Sequence, residues 1–243
     1  MDVSYIATHA REDQRHWWFV GRRAVILSVA RELFGRGGLR LSEIGCGTGS
    51  LLGALSEFGE VTGVEGSPDF LRVARRCGRP VLSGTLPDAI PLPSGSLDGV
   101  LLLDVLEHID DDQAALRAVL QLLVPGGLLL CTVPAYQALW SSHDVVLGHR
   151  RRYTRATLRR ALGGAGFRVT RLTYFNTLLA PPVAAARLFG RRRRALRHDL
   201  VSPPRWLNSL LARLFALEAP LLRRVNFPFG ISVLAIAQRP TPG

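Results

Sequence analysis

The sequence predicts an α/β fold in which a doubly wound, largely parallel sheet forms the core. Short apolar runs alternate with helical segments along the first two thirds of the chain, as in sheets whose strands are joined by helices. A glycine-rich turn follows the first of these runs, at residues 45–49. The chain has 243 residues and a hydrophobic content of 47%, enough for one domain with a sizeable core and an elaboration.

Apolar runs and the turn residues between them predict the order of the elements. Strands are expected at 39–44, 60–65, 80–83, 97–103, 128–133, 167–174 and 230–238. Helices are expected at 24–35, 49–58, 68–76 and 154–164. Another helix should begin at Asp110, Asp111 and Asp112, because the helix dipole favours carboxylates at that end.

The glycine turn and the end of the second strand together predict a nucleotide-type cofactor site. Gly45, Gly47 and Gly49 lack the Cβ atoms that would keep a ligand from the backbone, and the next helix directs its amides toward the same place. Glu65 ends the second strand, where a carboxylate can accept both hydroxyls of a ribose.

The glycine spacing separates two classes of cofactor. Dinucleotide oxidoreductases carry G-x-G-x-x-G, whereas here the glycines alternate at 45, 47 and 49. Glu43 precedes them, and its carboxylate would repel a pyrophosphate but suits a ligand with an ammonium and a sulfonium. The pattern therefore favours S-adenosylmethionine.

Three motifs in order, at 43–49, 97–108 and 123–130, resemble the class I S-adenosylmethionine-dependent methyltransferases, specifically their small-molecule group. The resemblance covers roughly residues 16–176. It implies a Rossmann-like seven-stranded sheet whose last strand is antiparallel. The segment before that strand is longer than the crossover needs, which predicts a helical insertion there. The implied organisation is a lid segment at 1–23, a cofactor-binding core at 24–176, a basic helical insertion at 177–229, and the final strand with a tail at 230–243.

The resemblance also implies the residues that contact S-adenosylmethionine. These are Trp18, Arg22, Glu43, Gly45, Cys46, Gly47, Gly49, Glu65, Gly66, Thr85, Leu86, Leu103, Asp104 and His108. In the lid, Arg22 would pair with the methionine carboxylate, although this segment could instead be a helix that only covers the sheet. Thr85 and Leu86 stand where many relatives have a Gly-Asp pair, so a hydroxyl or an amide would replace the usual carboxylate.

Methyl transfer to a hydroxyl needs a base, and histidine has a suitable pKa. His143, beside Asp144, is the first candidate, and His149 is the second, with substrate binding as its alternative role. The pattern Asp104-x-x-Glu107-His108 resembles one linked to a divalent metal in some quinone-biosynthesis O-methyltransferases. Because Glu-His is common at this place in the wider group, we predict no metal.

Charge divides the chain sharply. Residues 1–149 carry a net charge of −5 and residues 150–243 carry +17, and every basic residue is arginine. The insertion contains four consecutive arginines at 191–194 and then an apolar stripe over 206–225 at helical spacing. It could pack on the sheet or on another subunit, or it could lie as a basic amphipathic helix on an anionic membrane. Nucleic acid is a less favoured partner.

Other classes of protein are disfavoured by composition. The first twenty residues are charged where a signal peptide would be apolar, and no long uncharged apolar run follows, so we expect a cytoplasmic protein with possible peripheral membrane contact. Three separated cysteines indicate neither disulfides nor a zinc site.

The predicted function is transfer of a methyl group to a small, hydrophobic acceptor, at an oxygen, in secondary-metabolite, quinone or lipid and glycan biosynthesis. The alternative is a noncatalytic S-adenosylmethionine-binding scaffold or a membrane-associated partner protein. Methylation of a nucleic acid is less favoured, because no RNA-binding module is recognisable.

Overall fold

A computed structural model of the chain describes residues 3–35, 37–190 and 202–241. Its centre is a seven-stranded sheet with the order β3-β2-β1-β4-β5-β7-β6. The strands are β1 Leu39–Ile44, β2 Gly59–Glu65, β3 Val81–Ser83, β4 Leu97–Leu103, β5 Leu123–Pro134, β6 Arg168–Phe175 and β7 Ser232–Gln238. β7 runs antiparallel to β5 and β6, and the other neighbouring strands are parallel. The predicted Rossmann-like sheet with an antiparallel last strand is confirmed.

Helices cover both faces of this sheet. They are α1 Val3–Glu12, α2 Trp17–Phe34, α3 Leu52–Leu55, α4 Pro68–Ala74, α5 Asp112–Leu122, α6 Ser142–Leu147, α7 Arg155–Gly164, α8 Ala180–Gly190, α9 Arg205–Ala216 and α10 Glu218–Leu222. One buried cluster includes Leu116 and Leu158 from α5 and α7. The other includes Ile26 and Phe215 from α2 and α9. Because both faces are covered, the central strands are continuous apolar runs, as the sequence indicated.

Local sequence signals set several helix ends. Asp111 caps α5, its Oδ1 accepting a hydrogen bond of 2.8 Å from the amide of Ala114, which confirms the predicted acidic helix start. Thr154 caps α7 in the same way, accepting from the amide of Thr157 at 3.2 Å. Residues 49–58, predicted as one helix, form only the short α3 and a single 3₁₀ turn at Ser56–Phe58.

The largest difference from the predicted elements lies at α2. The prediction began this helix at residue 24, whereas it begins at Trp17, after His16, whose ring nitrogen accepts from the amide of Trp18 at 3.3 Å. The aromatic run contains no proline, and its one glycine, Gly21, is accommodated within the helix. Trp18 and Arg22 therefore belong to a helix that continues into the core, and not to a separate loop.

The insertion holds this N-terminal helix in place. Asn208 of α9 accepts a hydrogen bond from the amide of Trp17 at 2.9 Å and donates one to the carbonyl of Arg15 at 2.7 Å. Ser28 of α2 donates to the carbonyl of Ala219 in α10 at 2.9 Å. The predicted arginine run at 191–194 lies outside the described residues. In the described part of the chain, no helix is long and apolar enough to span a bilayer.

Close packing of α2 on α9 yields a stability prediction at Gly21. A Cβ added there would lie 2.4 Å from the ring of Phe215, so Gly21→Ala should lower the free energy of unfolding by about 1–3 kcal/mol despite the better helix propensity of alanine. Chemical denaturation measures this change. Gly53→Ala, where the new Cβ meets open space in α3, is the matched control and should be neutral or stabilising. Equal stability changes in the two variants would contradict the close packing.

Candidate active site

The glycine loop after β1 presents bare backbone at the carboxyl edge of the sheet. Gly47 has a φ of +58°, and a Cβ placed there would meet only open space. Gly45 has a φ of +75°, and its Cβ would lie 2.4 Å from Cγ2 of Val105. Gly45 thus allows the loop to pack against the end of β4, while Gly47 leaves room for a ligand to approach the backbone.

Glu65 at the end of β2 is fixed by two backbone amides. Its Oε2 accepts from the amide of Gly47, and its Oε1 accepts from the amide of Ser67, both at 2.8 Å. Burial raises the pKa of Glu65, and these hydrogen bonds oppose the rise. The predicted ribose-binding carboxylate is therefore held directly beside the glycine loop.

Glu43 and Cys46 are both buried in the protein interior. Burial raises the pKa of Glu43 to about 8, against the opposing charge of Arg22. Burial also raises the pKa of the Cys46 thiol far above its ordinary value. A cationic ligand nearby would favour the ionised form of Glu43, and contact between this carboxyl group and the cofactor stays a prediction.

The N-terminal helices reach this site through two polar contacts. The hydroxyl of Thr48 donates a hydrogen bond to Asp13, which follows α1. Nε of Arg22 lies 2.6 Å from Oδ2 of Asp104, and the Arg22 guanidinium lies 5.2 Å from the centre of the Trp18 ring. Asp104 follows β4 with a φ of +55°. The predicted lid residues and the predicted strand-end aspartate are thus brought together.

The remaining predicted cofactor contacts lie at the ends of neighbouring strands. A Cβ on Gly66 would lie 2.4 Å from Cγ2 of Thr85, so the segments after β2 and β3 touch here. The amide of Thr85 is engaged, donating to the carbonyl of Ala89 at 3.0 Å. Leu103 is buried at the end of β4, and Leu86 packs against the core.

Beyond β4, a buried hydrogen-bond network orients His149. Asp144 is fully buried, and both of its oxygens accept from Arg152, Oδ1 at 2.8 Å and Oδ2 at 2.9 Å. Oδ1 of Asp144 also lies 2.9 Å from Nδ1 of His149. Burial alone would raise the pKa of Asp144, but the hydrogen bonds of His149 and Arg152 hold it well below its ordinary value. We call Asp144, His149 and Arg152 the His149 network.

His149 also belongs to a compact cluster with Glu107 and His108, here called the Glu107 cluster. The two imidazole rings meet edge to face with their centres 4.6 Å apart, and one ligand atom from each of the three side chains lies within 4.8 Å of the others. Glu107 is fully buried, and neither carboxyl oxygen has a hydrogen-bond partner in any other residue that the structure describes. Burial, and then the nearby Asp104, raise its pKa well above the ordinary value. Burial, and then His149, lower the pKa of His108 to about 4.

The structure ranks the two candidate bases differently from the sequence. His143 lies in α6, where the adjacent Asp144 side chain accepts from the amide of Ser141 at 2.8 Å. The partners of that carboxylate are Ser141, Arg152 and His149. His149 is thus the candidate that Asp144 orients, and a catalytic role for His143 stays a prediction.

Sequence reasoning missed several members of this site. Arg152 read as one of many arginines, although it is the buried partner of Asp144. Asp13 read only as a charge arguing against a signal peptide, although it bonds to Thr48 of the glycine loop. No local pattern marks either contact, because each joins residues from different elements.

Comparison with known proteins identifies the domain that holds the glycine loop and the strand ends of this site. Residues 42–131 match the family described as "Methyltransferase domain". The ubiquinone biosynthesis O-methyltransferase of Cereibacter sphaeroides is 37% identical over 101 residues, which cover 39% of this chain and 41% of that protein. The chain thus spans about two fifths of the length of that relative. An uncharacterised 37.1 kDa protein of a Streptomyces fradiae transposon is 28% identical over 237 residues, or 87% of this chain and 67% of that protein.

Solved structures share the fold at low sequence identity. A putative methyltransferase from a Haloferax volcanii complex with the Trm112 methyltransferase activator has a TM-score of 0.64 and 20% identity, covering 99% of this chain and 96% of that chain. The [4+2]-cyclase SpnF has a TM-score of 0.59 and 20% identity, covering 90% and 81%. The family match confirms the predicted methyltransferase resemblance, with its cofactor S-adenosylmethionine, for residues 42–131, and the solved structures confirm the predicted fold.

The raised pKa of Glu43 predicts a pH dependence of stability. Between the ordinary carboxyl pKa of ~4.3 and about 8, the folded protein keeps a proton that the unfolded chain has lost. Relative to Glu43→Gln, the free energy of unfolding of the wild type should therefore fall as pH rises through this window, by at most ~1.4 kcal/mol per pH unit. Denaturation of both proteins at several pH values measures the difference. Parallel pH profiles would contradict the assignment.

Proposed function

We propose, on the premise that residues 42–131 are a class I S-adenosylmethionine-dependent methyltransferase domain, that the whole chain transfers a methyl group to a hydroxyl oxygen of a small, hydrophobic acceptor. The observation that carries this proposal is the orientation of the His149 imidazole. The ring is oriented by a fully buried aspartate and lies beside Glu107 and His108, which follow β4 in the same region as Asp104. Such an oriented imidazole is the arrangement that a proton-accepting base requires.

In the proposed complex, the cofactor is held by the residues around the glycine loop. Glu65 accepts from the ribose, and the Gly47 backbone lies against the ligand. The methionine end carries an ammonium and a carboxylate, which are complementary to Asp104 and Arg22. Those two side chains pair with each other at 2.6 Å in this structure. On binding, the ligand would replace this ion pair with two others, its ammonium with Asp104 and its carboxylate with Arg22.

His149 would remove the acceptor proton. Its Nδ1 faces Asp144, which fixes this nitrogen as the donor and leaves Nε2 as the free acceptor in the neutral ring. When bound, the cofactor supplies a methyl carbon already activated by the sulfonium. When the acceptor oxygen takes this methyl group, Nε2 would receive the hydroxyl proton and Asp144 would stabilise the resulting imidazolium. The demethylated cofactor, the methyl ether and one proton are the products.

A divalent cation is an alternative means of promoting loss of the acceptor's hydroxyl proton. Glu107, His108 and His149 would hold it, since their ligand atoms fit within 4.8 Å and the Glu107 carboxyl lacks other partners. The ion would stabilise the acceptor oxygen as an anion. We retain the prediction that no metal is used, and a chelator distinguishes the two mechanisms.

One relative supports oxygen as the acceptor atom, and one solved structure shows that the fold alone does not establish the reaction. The Cereibacter sphaeroides relative is named a ubiquinone biosynthesis O-methyltransferase, which favours an oxygen acceptor in quinone or related biosynthesis. SpnF shares the fold and is named a [4+2]-cyclase. The second candidate function, a noncatalytic cofactor-binding scaffold, therefore requires a direct test.

We further propose that the protein meets its acceptor at an anionic membrane surface. Trp206 is 70% exposed, and four further exposed apolar side chains follow it in α9, between α9 and α10, in α10 and after α10: Leu210, Leu217, Leu221 and Val225. The exposed arginines of the same region are Arg205, Arg213, Arg223 and Arg224. The only acid within 202–229, Glu218, is buried, where it accepts from the amides of Thr177 and Leu178. Apolar and cationic groups on one face suit an anionic lipid surface.

Substituting His149 tests the catalytic proposal. His149→Gln should lower methyl transfer roughly 10²- to 10⁴-fold and leave S-adenosylmethionine binding intact, because the base acts on the acceptor. Labelled S-adenosylmethionine, incubated with a lipid extract, measures transfer into the organic phase. Asp110→Asn, which removes an exposed carboxyl group, is the control.

Other results in this assay would redirect the proposal. Full activity of His149→Gln with loss in His143→Gln would restore the order predicted from the sequence. Loss on chelation with recovery on adding Mn²⁺ would assign the proton chemistry to a cation. Cofactor binding without transfer to any extract component would favour the scaffold.

Membrane contact predicts salt-sensitive binding to vesicles. The full chain should sediment with phosphatidylglycerol vesicles at low ionic strength and be released as salt screens the arginines. Trp206→Ser should weaken binding through lost apolar burial, and Arg223→Gln with Arg224→Gln should weaken it through lost charge. Ser209→Ala, also exposed on α9, should bind as the wild type does. Absence of sedimentation at low salt would rule the proposal out.

A further inference from the structure

An apolar cavity of about 310 Å³ lies where β5 and β6 end and β7 begins. The residues around it come from the 3₁₀ turn after β5, from α8, and from the segment before β7. They include Tyr136, Leu139, Ala180, Ala184, Phe229 and Ile231. Since β7 is antiparallel, its first residues reach the same edge of the sheet as the ends of its neighbours.

This cavity shares a wall with the His149 network. The backbone amide of Arg152 donates to Oε1 of Gln137 at 3.0 Å, and Nη1 of the Arg152 side chain donates to the carbonyl of Ala135 at 3.1 Å. The amide of Tyr136, between them, donates to the carbonyl of Tyr153 at 2.8 Å. The arginine that fixes Asp144 therefore also fixes the cavity wall.

The cavity opens toward exposed apolar surface. Phe229 lines it and is itself 49% exposed, and Leu178, which precedes α8, is exposed to the same extent. Phe229 therefore offers an apolar side chain at the boundary between the cavity and the exposed surface. The volume corresponds to roughly ten groups of the size of a water molecule, at about 30 Å³ each. A helix, whose diameter is about 10–12 Å, would not fit, so a protein segment is a poor occupant.

We propose that this cavity binds the apolar chain of the methyl acceptor, an amphiphile with a hydroxyl-bearing head and an aliphatic or isoprenoid chain. This inference rests on the proposed function and specifies its acceptor class. The chain lies among Leu139, Ala184 and Phe229, and the shared wall through Arg152 positions the head toward His149. Apolar lining and a volume near 300 Å³ are typical of small-molecule sites that recognise hydrophobic groups.

A homologous series of ligands tests the chain site. Alkyl esters of 4-hydroxybenzoic acid, from methyl to octyl, are titrated calorimetrically into the full-length protein. Affinity should rise by about fourfold for each added methylene until the cavity is full. Ala184→Trp fills the cavity and should remove most of this rise, and Ala184→Leu, a milder change, should reduce it.

Ala185→Trp is the matched control, because Ala185 is exposed on the same helix α8. It should retain the wild-type series. Equal chain-length dependence in Ala184→Trp and Ala185→Trp, or none in the wild type, would overturn the inference. Titration of S-adenosylmethionine into the same samples distinguishes failure of this inference from failure of the proposed function. Intact cofactor binding without a dependence on alkyl chain length would contradict only the cavity proposal. Absence of cofactor binding would contradict the proposed function.

Discussion

The region proposed to bind the acceptor depends on the buried pair between Asp144 and Arg152. A fully buried carboxylate is costly unless it is paired and hydrogen-bonded, and here Arg152 meets both of its oxygens. The same guanidinium holds the carbonyl of Ala135, and the same carboxylate holds His149. One ion pair therefore links the residue after β5, the His149 imidazole and the wall of the cavity. The pair contributes more by positioning these groups than by raising the stability of the fold.

The sheet provides the second constraint by bringing distant residues to one edge. Parallel strands place Glu65 and Asp104 at the carboxyl edge on either side of β1, and the antiparallel β7 begins at the same edge, after the insertion. The insertion in turn holds α2 through Asn208, and α2 carries Arg22 to Asp104. The N-terminal helices, the insertion and the sheet thus form one connected structure, so α9, which carries part of the surface proposed to face a membrane, packs directly on α2.

Much of the fold could be predicted from local patterns. Buried parallel strands appear in the sequence as continuous apolar runs, and the glycine turn directly follows the first of them. The pairing of Asp144 with His149 could not be predicted in this way. In the sequence His143 is the neighbour of Asp144, but Gly148 ends α6 with a φ of +73° and reverses the chain, and the amide of His149 then donates to the carbonyl of Asp144 at 2.9 Å. The burial of Glu107 and the role of Arg152 likewise depend on contacts between elements that no local pattern reveals.

The central claim is that the loop from Gly45 to Gly49, with Glu65, binds S-adenosylmethionine, and calorimetric titration tests it most directly. The wild type should bind S-adenosylmethionine and its demethylated product with micromolar affinity. Glu65→Ala should abolish measurable binding, whereas Glu60→Ala, which removes an exposed carboxylate from the same strand, should leave it unchanged. No binding by the wild type, or equal affinity in Glu65→Ala, would contradict the account.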